Sequence, residues 1–133
     1  MSEIEKIEKM LSNGEKTELN RMKMNIVRVL AVYKGVSWKT ELFEDLTKLL
    51  EFLGQQNIVK SRILDEPLTS LALDGIVTVE ERTRGTMLEE GSYKDQLIRL
   101  NDLANVKSAL QKDPAFTRYM QSRDKTIREA LFK

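Results

Sequence analysis

The chain of 133 residues contains neither cysteine nor histidine. Without cysteine there are no disulfides and no thiolate metal sites. Losing histidine as well removes the Ser-His-Asp and Cys-His triads, the usual zinc sites and the commonest general base. An enzyme built on this chain would have to work through carboxylates, lysine, tyrosine or a bound Mg²⁺. Glycine is scarce, six in all. Gly85 and Gly91 have neither the spacing of a phosphate-binding loop nor a following Lys-Ser/Thr. The expectation is therefore a protein that is not an enzyme and uses no cofactor or metal.

Long apolar runs are missing too, so no membrane-spanning segment is expected. The chain opens Ser2-Glu3-Ile4-Glu5-Lys6, not a basic region followed by an apolar one, and a cytoplasmic location is expected. A hydrophobic fraction of 41% is enough for an ordinary core. Net charge is only +1, weak support for a nucleic-acid partner. Its distribution is more informative. Between Leu19 and Thr40 stand Arg21, Lys23, Arg28, Lys34 and Lys39 with no acid, and from Arg118 to Lys133 five cations face two acids. The Glu41–Glu51 stretch leans acidic.

Periodicity outlines the elements. Ser2 and Glu5 form a capping box ahead of Ile4, Ile7 and Leu11, which share one helical stripe, and Asn13-Gly14 ends that helix. A helix from about Lys16 to Lys34 turns Leu19, Met22, Ile26, Val29, Leu30 and Tyr33 inward, with Gly35 as its C-terminal stop. Val36 to Trp38 reads as a short extended segment. Leu42, Phe43, Leu46, Leu49, Leu50 and Phe52 define a helix over about Thr40–Leu53, closed by Gly54. A third helix is predicted over Ser61–Asp74, bent near Pro67. The alternative is a shorter helix, Glu66–Asp74, with Asp65 as cap and Pro67 in its first turn. Beyond Asn101, Leu103, Val106 and Leu110 lie in helical register. Asp113-Pro114 then starts a last helix carrying Phe116, Tyr119, Met120, Ile127, Leu131 and Phe132.

The most telling stretch is Lys60 to Leu100. Leu64, Leu68 and Leu71 recur at helical spacing, and Gly75 can end that helix in a left-handed conformation. Ile76-Val77-Thr78-Val79-Glu80-Glu81-Arg82 then reads as a strand and Gln96-Leu97-Ile98-Arg99-Leu100 as its return, around a loop with Gly85 and Gly91. Helix, glycine, strand, loop, strand resembles the last helix and wing of the winged helix-turn-helix superfamily, over roughly Leu19–Leu103. The fold implied is mainly α with a small β-ribbon, a winged helix-turn-helix with N- and C-terminal helical extensions. The division expected is an N-terminal helix over 1–14, the winged domain over 15–103 and a C-terminal helical extension over 104–133.

That resemblance implies a DNA-binding transcriptional regulator that presents one helix to the major groove and the ribbon to the backbone or minor groove. The positions that match are Lys60, Ser61, Arg62, Thr69 and Ser70 on the third helix and Arg82, Arg84 and Lys94 on the wing. Arg62 suits a bidentate contact to guanine, and arginine on a wing suits a narrow minor groove. Asp65 and Glu66 fit less well, since carboxylates repel phosphate. Arg21, Lys23, Arg28 and Lys34 offer nonspecific phosphate contacts, or simply a solvated face. The partners expected are double-stranded DNA and a second copy of the chain. The dimer would form through Ile4, Ile7, Leu11, Phe116, Tyr119, Met120, Ile127 and Leu131, or the last helix would fold back on the first. A second reading keeps the fold but makes it a protein–protein interaction module, which the Asp65-Glu66 pair and the low net charge favour.

Overall fold

A computed structural model describes residues 3–13, 17–54, 64–85 and 92–131. Six helices and three strands follow in the order α1 (Glu3–Asn13), α2 (Glu18–Val32), β1 (Val36–Trp38), α3 (Lys39–Phe52), α4 (Asp65–Leu73), β2 (Val77–Gly85), β3 (Ser92–Leu100), α5 (Leu103–Leu110) and α6 (Pro114–Leu131). The architecture is mainly α with one small antiparallel sheet, as the sequence pattern implies.

Helix α2 is the centre of the molecule. Thr17 caps its start, its Oγ1 accepting from the Asn20 amide at 3.1 Å. From Lys23 to Ala31 every residue but Arg28 is buried. A helix covered on nearly all sides needs neighbours all round, and α1, α3, α4, α5 and the sheet supply them. One hydrophobic core joins Ile7 and Met10 of α1 to Ile26 and Leu30 of α2, Leu46 of α3, Leu71 of α4, Ile98 of β3, Leu110 of α5 and Tyr119 of α6. The core thus continues across positions 14/15 and 103/104.

The sheet order is β1-β3-β2, antiparallel throughout. Val36 pairs with Arg99 and Trp38 with Leu97, so the short extended segment read from Val36–Trp38 is the third strand beside the ribbon. The ribbon runs further than its apolar pattern suggests, from Val77↔Leu100 to Gly85↔Ser92. Its outer half is polar and takes its strand form from ladder hydrogen bonds, which leave no trace in hydrophobic alternation. Chain reversal before β1 uses Lys34 and Gly35, both at positive φ (64° and 87°). The Gly35 carbonyl accepts from the Leu100 amide at 2.7 Å, clamping the end of α2 to the sheet.

Two helix boundaries follow the proline rules. Helix α4 begins at Asp65, with Pro67 buried in its first turn, where its missing N–H costs nothing. That start lies close to the shorter reading, although the cap position is Leu64, without a side-chain cap bond, and Asp65 is the first helical residue; the Ser61 start of the longer reading lies outside the described residues. At α6, Asp113 precedes Pro114 as expected, and its Oδ1 accepts from the Ala115 amide at 3.3 Å.

Candidate nucleic-acid interface

Leu64, Leu68 and Leu71 are buried beneath α4 and fix its rotation, a consequence of their i, i+4, i+7 spacing. Its two ends are tied by charge. The Lys39 Nζ donates to Asp65 Oδ1 at the first turn. At the far end, buried Lys23 lies 3.2 Å from Asp74 Oδ2, and Lys6 donates to the Asp74 carbonyl. Gly75, at φ 76°, then turns the chain into the ribbon. Asn101 holds that corner from the other strand, its Nδ2 donating to the Gly75 carbonyl at 2.8 Å.

These ties set the helix beside the ribbon, with an open groove of about 630 Å³ between them. Leu68, Ala72 and Leu73 of α4 face Val79 and Gln96 of the ribbon across it, and Lys39, Asp65 and Thr69 complete the lining. Thr69, Asp65, Glu66 and Ala72 are exposed, and Leu73 stands 83% exposed. Among the described residues the solvent side of α4 carries two carboxylates and no cation.

On the ribbon, charges neutralise one another. Arg82 donates to Glu80 Oε2 from Nη2 at 2.7 Å and from Nε at 3.1 Å. Arg99 donates to the other oxygen, Oε1, at 3.1 Å. Arg82, with Arg99 adding to it, holds the Glu80 carboxyl below its ordinary range. Lys94 lies 4.0 Å from Glu81.

The residues expected to meet DNA divide accordingly. Thr69 and Ser70 lie on α4, Thr69 in the groove wall and Ser70 half-buried; Arg82 and Lys94 are exposed on the ribbon. Lys60, Ser61 and Arg62 lie outside the described residues, as does the side chain of Arg84. Two cations offered for phosphate contact point inward instead. Lys23 is consumed by Asp74, and Arg28 by Asp113. Lys39, Val79 and Gln96 were not singled out from the sequence as site residues. Gln96 and Val79 become neighbours of α4 only through strand pairing, which no local pattern encodes. Leu73 was missed because it falls off the Leu64/Leu68/Leu71 line, and that very offset is the sequence signal for an exposed leucine.

The residues expected at a dimer surface divide as well. Ile7 is wholly buried in the chain's own core and Tyr119 nearly so, which removes both from a surface open to a second copy. Phe116 packs against the same core, and Met120 is half-buried. Ile127 and Leu131 are 50% and 72% exposed. The side chains of Ile4 and Leu11 lie outside the described residues. Helix α1 packs on α5, whereas α6 is fastened elsewhere, by the Tyr119 ring edge-on to Phe52 with centroids 5.3 Å apart.

No cluster of three or more acidic side chains placed to hold a metal ion occurs among the described residues. No helix among them is long and apolar enough to cross a membrane. No protein-family model matches the chain, and neither does any curated protein or solved structure.

Proposed function

We propose that the chain is a winged helix-turn-helix DNA-binding protein, most simply a small transcriptional regulator, with α4 as recognition helix and β2–β3 as wing. The observation that carries this reading is the connection α2–β1–α3–α4–β2–β3 with sheet order β1-β3-β2. It sets a short helix beside an antiparallel ribbon, which supports a reading in which the two engage a groove and the flanking backbone at once. In the proposed complex Arg62, ahead of α4 in the chain, reads a guanine edge, while Lys60 and Ser61 beside it in sequence and Thr69 and Ser70 on the helix make polar contacts. Arg82, Arg84 and Lys94 engage phosphate or the minor groove. Arg82 exchanges the Glu80 carboxylate for a phosphate oxygen, so the ion pair on the ribbon is a stored contact that DNA must outcompete.

The test is binding to a random-sequence duplex across a salt series, with Arg62→Ala and Arg82→Ala/Arg84→Ala beside the parent. Micromolar or tighter affinity that falls steeply with salt, and falls further in both variants, is the expected result. Absence of binding at low salt refutes it.

A second reading, a protein–protein interaction module on the same fold, is favoured by one specific observation. The exposed side of α4 combines Asp65, Glu66 and a nearly bare Leu73. An acidic and apolar helix face suits a protein surface better than phosphate.

A further inference from the structure

The two faces of the sheet are unlike. On the side packed into the core, Ser37, Ile98, Val77 and Leu100 are buried. Strand alternation sends their neighbours to the other side. There the register sets Trp38, Leu97 and Glu80 in one rung and Val36, Arg99 and Thr78 in the next. Val36 is 42% exposed, Trp38 and Leu97 are half-buried, and Arg99 and Arg82 are exposed. We propose that this outer face binds single-stranded DNA, with an unpaired base stacked on Trp38 and the adjoining phosphates held by Arg99 and Arg82. The duplex reading uses none of Trp38, Leu97, Val36 or Arg99 and shares only Arg82. The choice of DNA over RNA rests on that reading; the assignment of the face does not.

Three features select this occupant. The first is charge. Two guanidiniums share one carboxylate, Glu80, so a positive charge is left over toward solvent. Asp95 stands in the Arg82 rung but is 6% exposed, and it accepts from the Thr40 hydroxyl and the Gln96 amide, both at 2.8 Å. The second is donor capacity. Arg99 reaches Glu80 through Nη2 alone and Arg82 through Nε and Nη2. Nη1 of both and Nε of Arg99 therefore have no bond among the described residues and can meet phosphate. The third is size. Three apolar side chains fall short of a stable protein interface, which takes about 800 Å² from each partner, yet they match one or two flat bases. Stacking on an aromatic ring tolerates any base, and bases inside a duplex have their faces covered, so the ligand is an unpaired strand. Arg99 is the diagonal neighbour of Trp38, about 7–8 Å away across the strands, which a long side chain spans. The ladder continues outward with Arg84 paired to Tyr93, the same combination of cation and aromatic residue.

Trp38 is the sole tryptophan of the chain, so its fluorescence reports on the site directly. Titrating the whole protein with a short oligo(dT) at low salt should quench that fluorescence saturably, and a duplex of the same length should not. Arg99→Ala alters an exposed side chain and should leave the fold intact. It should weaken oligo(dT) binding several-fold and lower the salt slope by about one phosphate. Trp38→Leu, followed with a labelled oligonucleotide, should weaken binding about 10-fold, and Trp38→Phe should restore most of it. Circular dichroism checks the fold of each variant; if Trp38→Leu unfolds, quenching in the parent and the Arg99→Ala result decide. No quenching, equal quenching by duplex, or an affinity indifferent to Arg99→Ala and Trp38→Leu would each overturn the proposal. Tighter binding of oligo(U) than of oligo(dT) would overturn the choice of DNA. Arg62→Ala, which tests the duplex site, should leave oligo(dT) binding unchanged, so the two readings fail separately.

Discussion

Arg28 of α2 and Asp113 at the start of α6 form a two-bonded ion pair in the interior. Nε donates to Oδ2 at 2.6 Å and Nη2 to Oδ1 at 3.2 Å. Nη1 turns to Asn25 Oδ1 at 2.8 Å, so most of the fork is engaged. Asp113 is only 4% exposed and also caps α6. One carboxylate thus fixes both the start of α6 and its position against the central helix. Removing the arginine strands a buried charge, which typically costs about 3–5 kcal/mol. Arg28→Ala should lower the unfolding free energy obtained from denaturant titration by an amount in that range, while the salt dependence of DNA binding by the folded fraction stays unchanged. A shallower salt slope in Arg28→Ala would mean that Arg28 meets phosphate after all.

That pair also marks the limit of what the sequence discloses. The helices with apolar stripes, the Gly35 and Gly75 stops, the Asp113-Pro114 start and the ribbon are written in spacing and turn chemistry, which act locally. Whether a cation faces solvent is decided by what arrives from far along the chain. Asp74 and Asp113 come to Lys23 and Arg28 from 51 and 85 positions away, and a run of basic residues looks the same either way. The groove beside α4 was hidden for the same reason, since Val79 and Gln96 reach it through strand register. Tyr119 was legible as apolar, but not the choice between its own core and a second copy.

Asp65 and Glu66 set a second prediction. Both are exposed on the first turn of α4, and Asp65 holds Lys39. Under the DNA reading they oppose phosphate, so Asp65→Asn/Glu66→Gln should tighten duplex binding several-fold at low salt, an effect screened as salt rises. If the face is a protein-docking surface, the double variant leaves the duplex unbound. A titration of parent and variant against one fluorescent duplex distinguishes the two.

Two tyrosines give a pH dependence on the alkaline side. Burial is the main cause raising the hydroxyl of both Tyr33 and Tyr119 above the ordinary tyrosine value. For Tyr33 the adjacent Asp45, which accepts its O–H at 3.2 Å, adds to this, while Arg123 opposes it. A raised pKa favours the protonated form in the folded state. The resulting stability is fully present below the unfolded value of about 10 and is lost as pH rises through the folded value. Stability should therefore fall above about pH 10, and Tyr33→Phe/Tyr119→Phe should flatten that fall. Tyrosinate absorbance followed with pH should show these two side chains ionising later than an exposed tyrosine; ionisation of all tyrosines together would contradict it.

Gly35 and Gly54 separate backbone strain from crowding. Both adopt positive φ, 87° and 72°. Among the described residues a Cβ at Gly54 meets nothing within 4 Å, whereas at Gly35 it would sit 3.2 Å from Leu103 Cδ1. Gly54→Ala should cost only the left-handed penalty, about 1–2 kcal/mol. Gly35→Ala carries that penalty and must also displace Leu103. It strains the same turn whose carbonyl accepts from Leu100. The expected order in urea denaturation is parent, Gly54→Ala, Gly35→Ala, with the last lower by a further ~1 kcal/mol or more from overpacking. Leu103→Ala placed on Gly35→Ala should recover part of that extra loss by opening the space, although alone it destabilises. The cycle therefore yields a coupling of opposite sign to the single effects, and strict additivity would show that the close approach to Leu103 is not what makes glycine necessary at position 35.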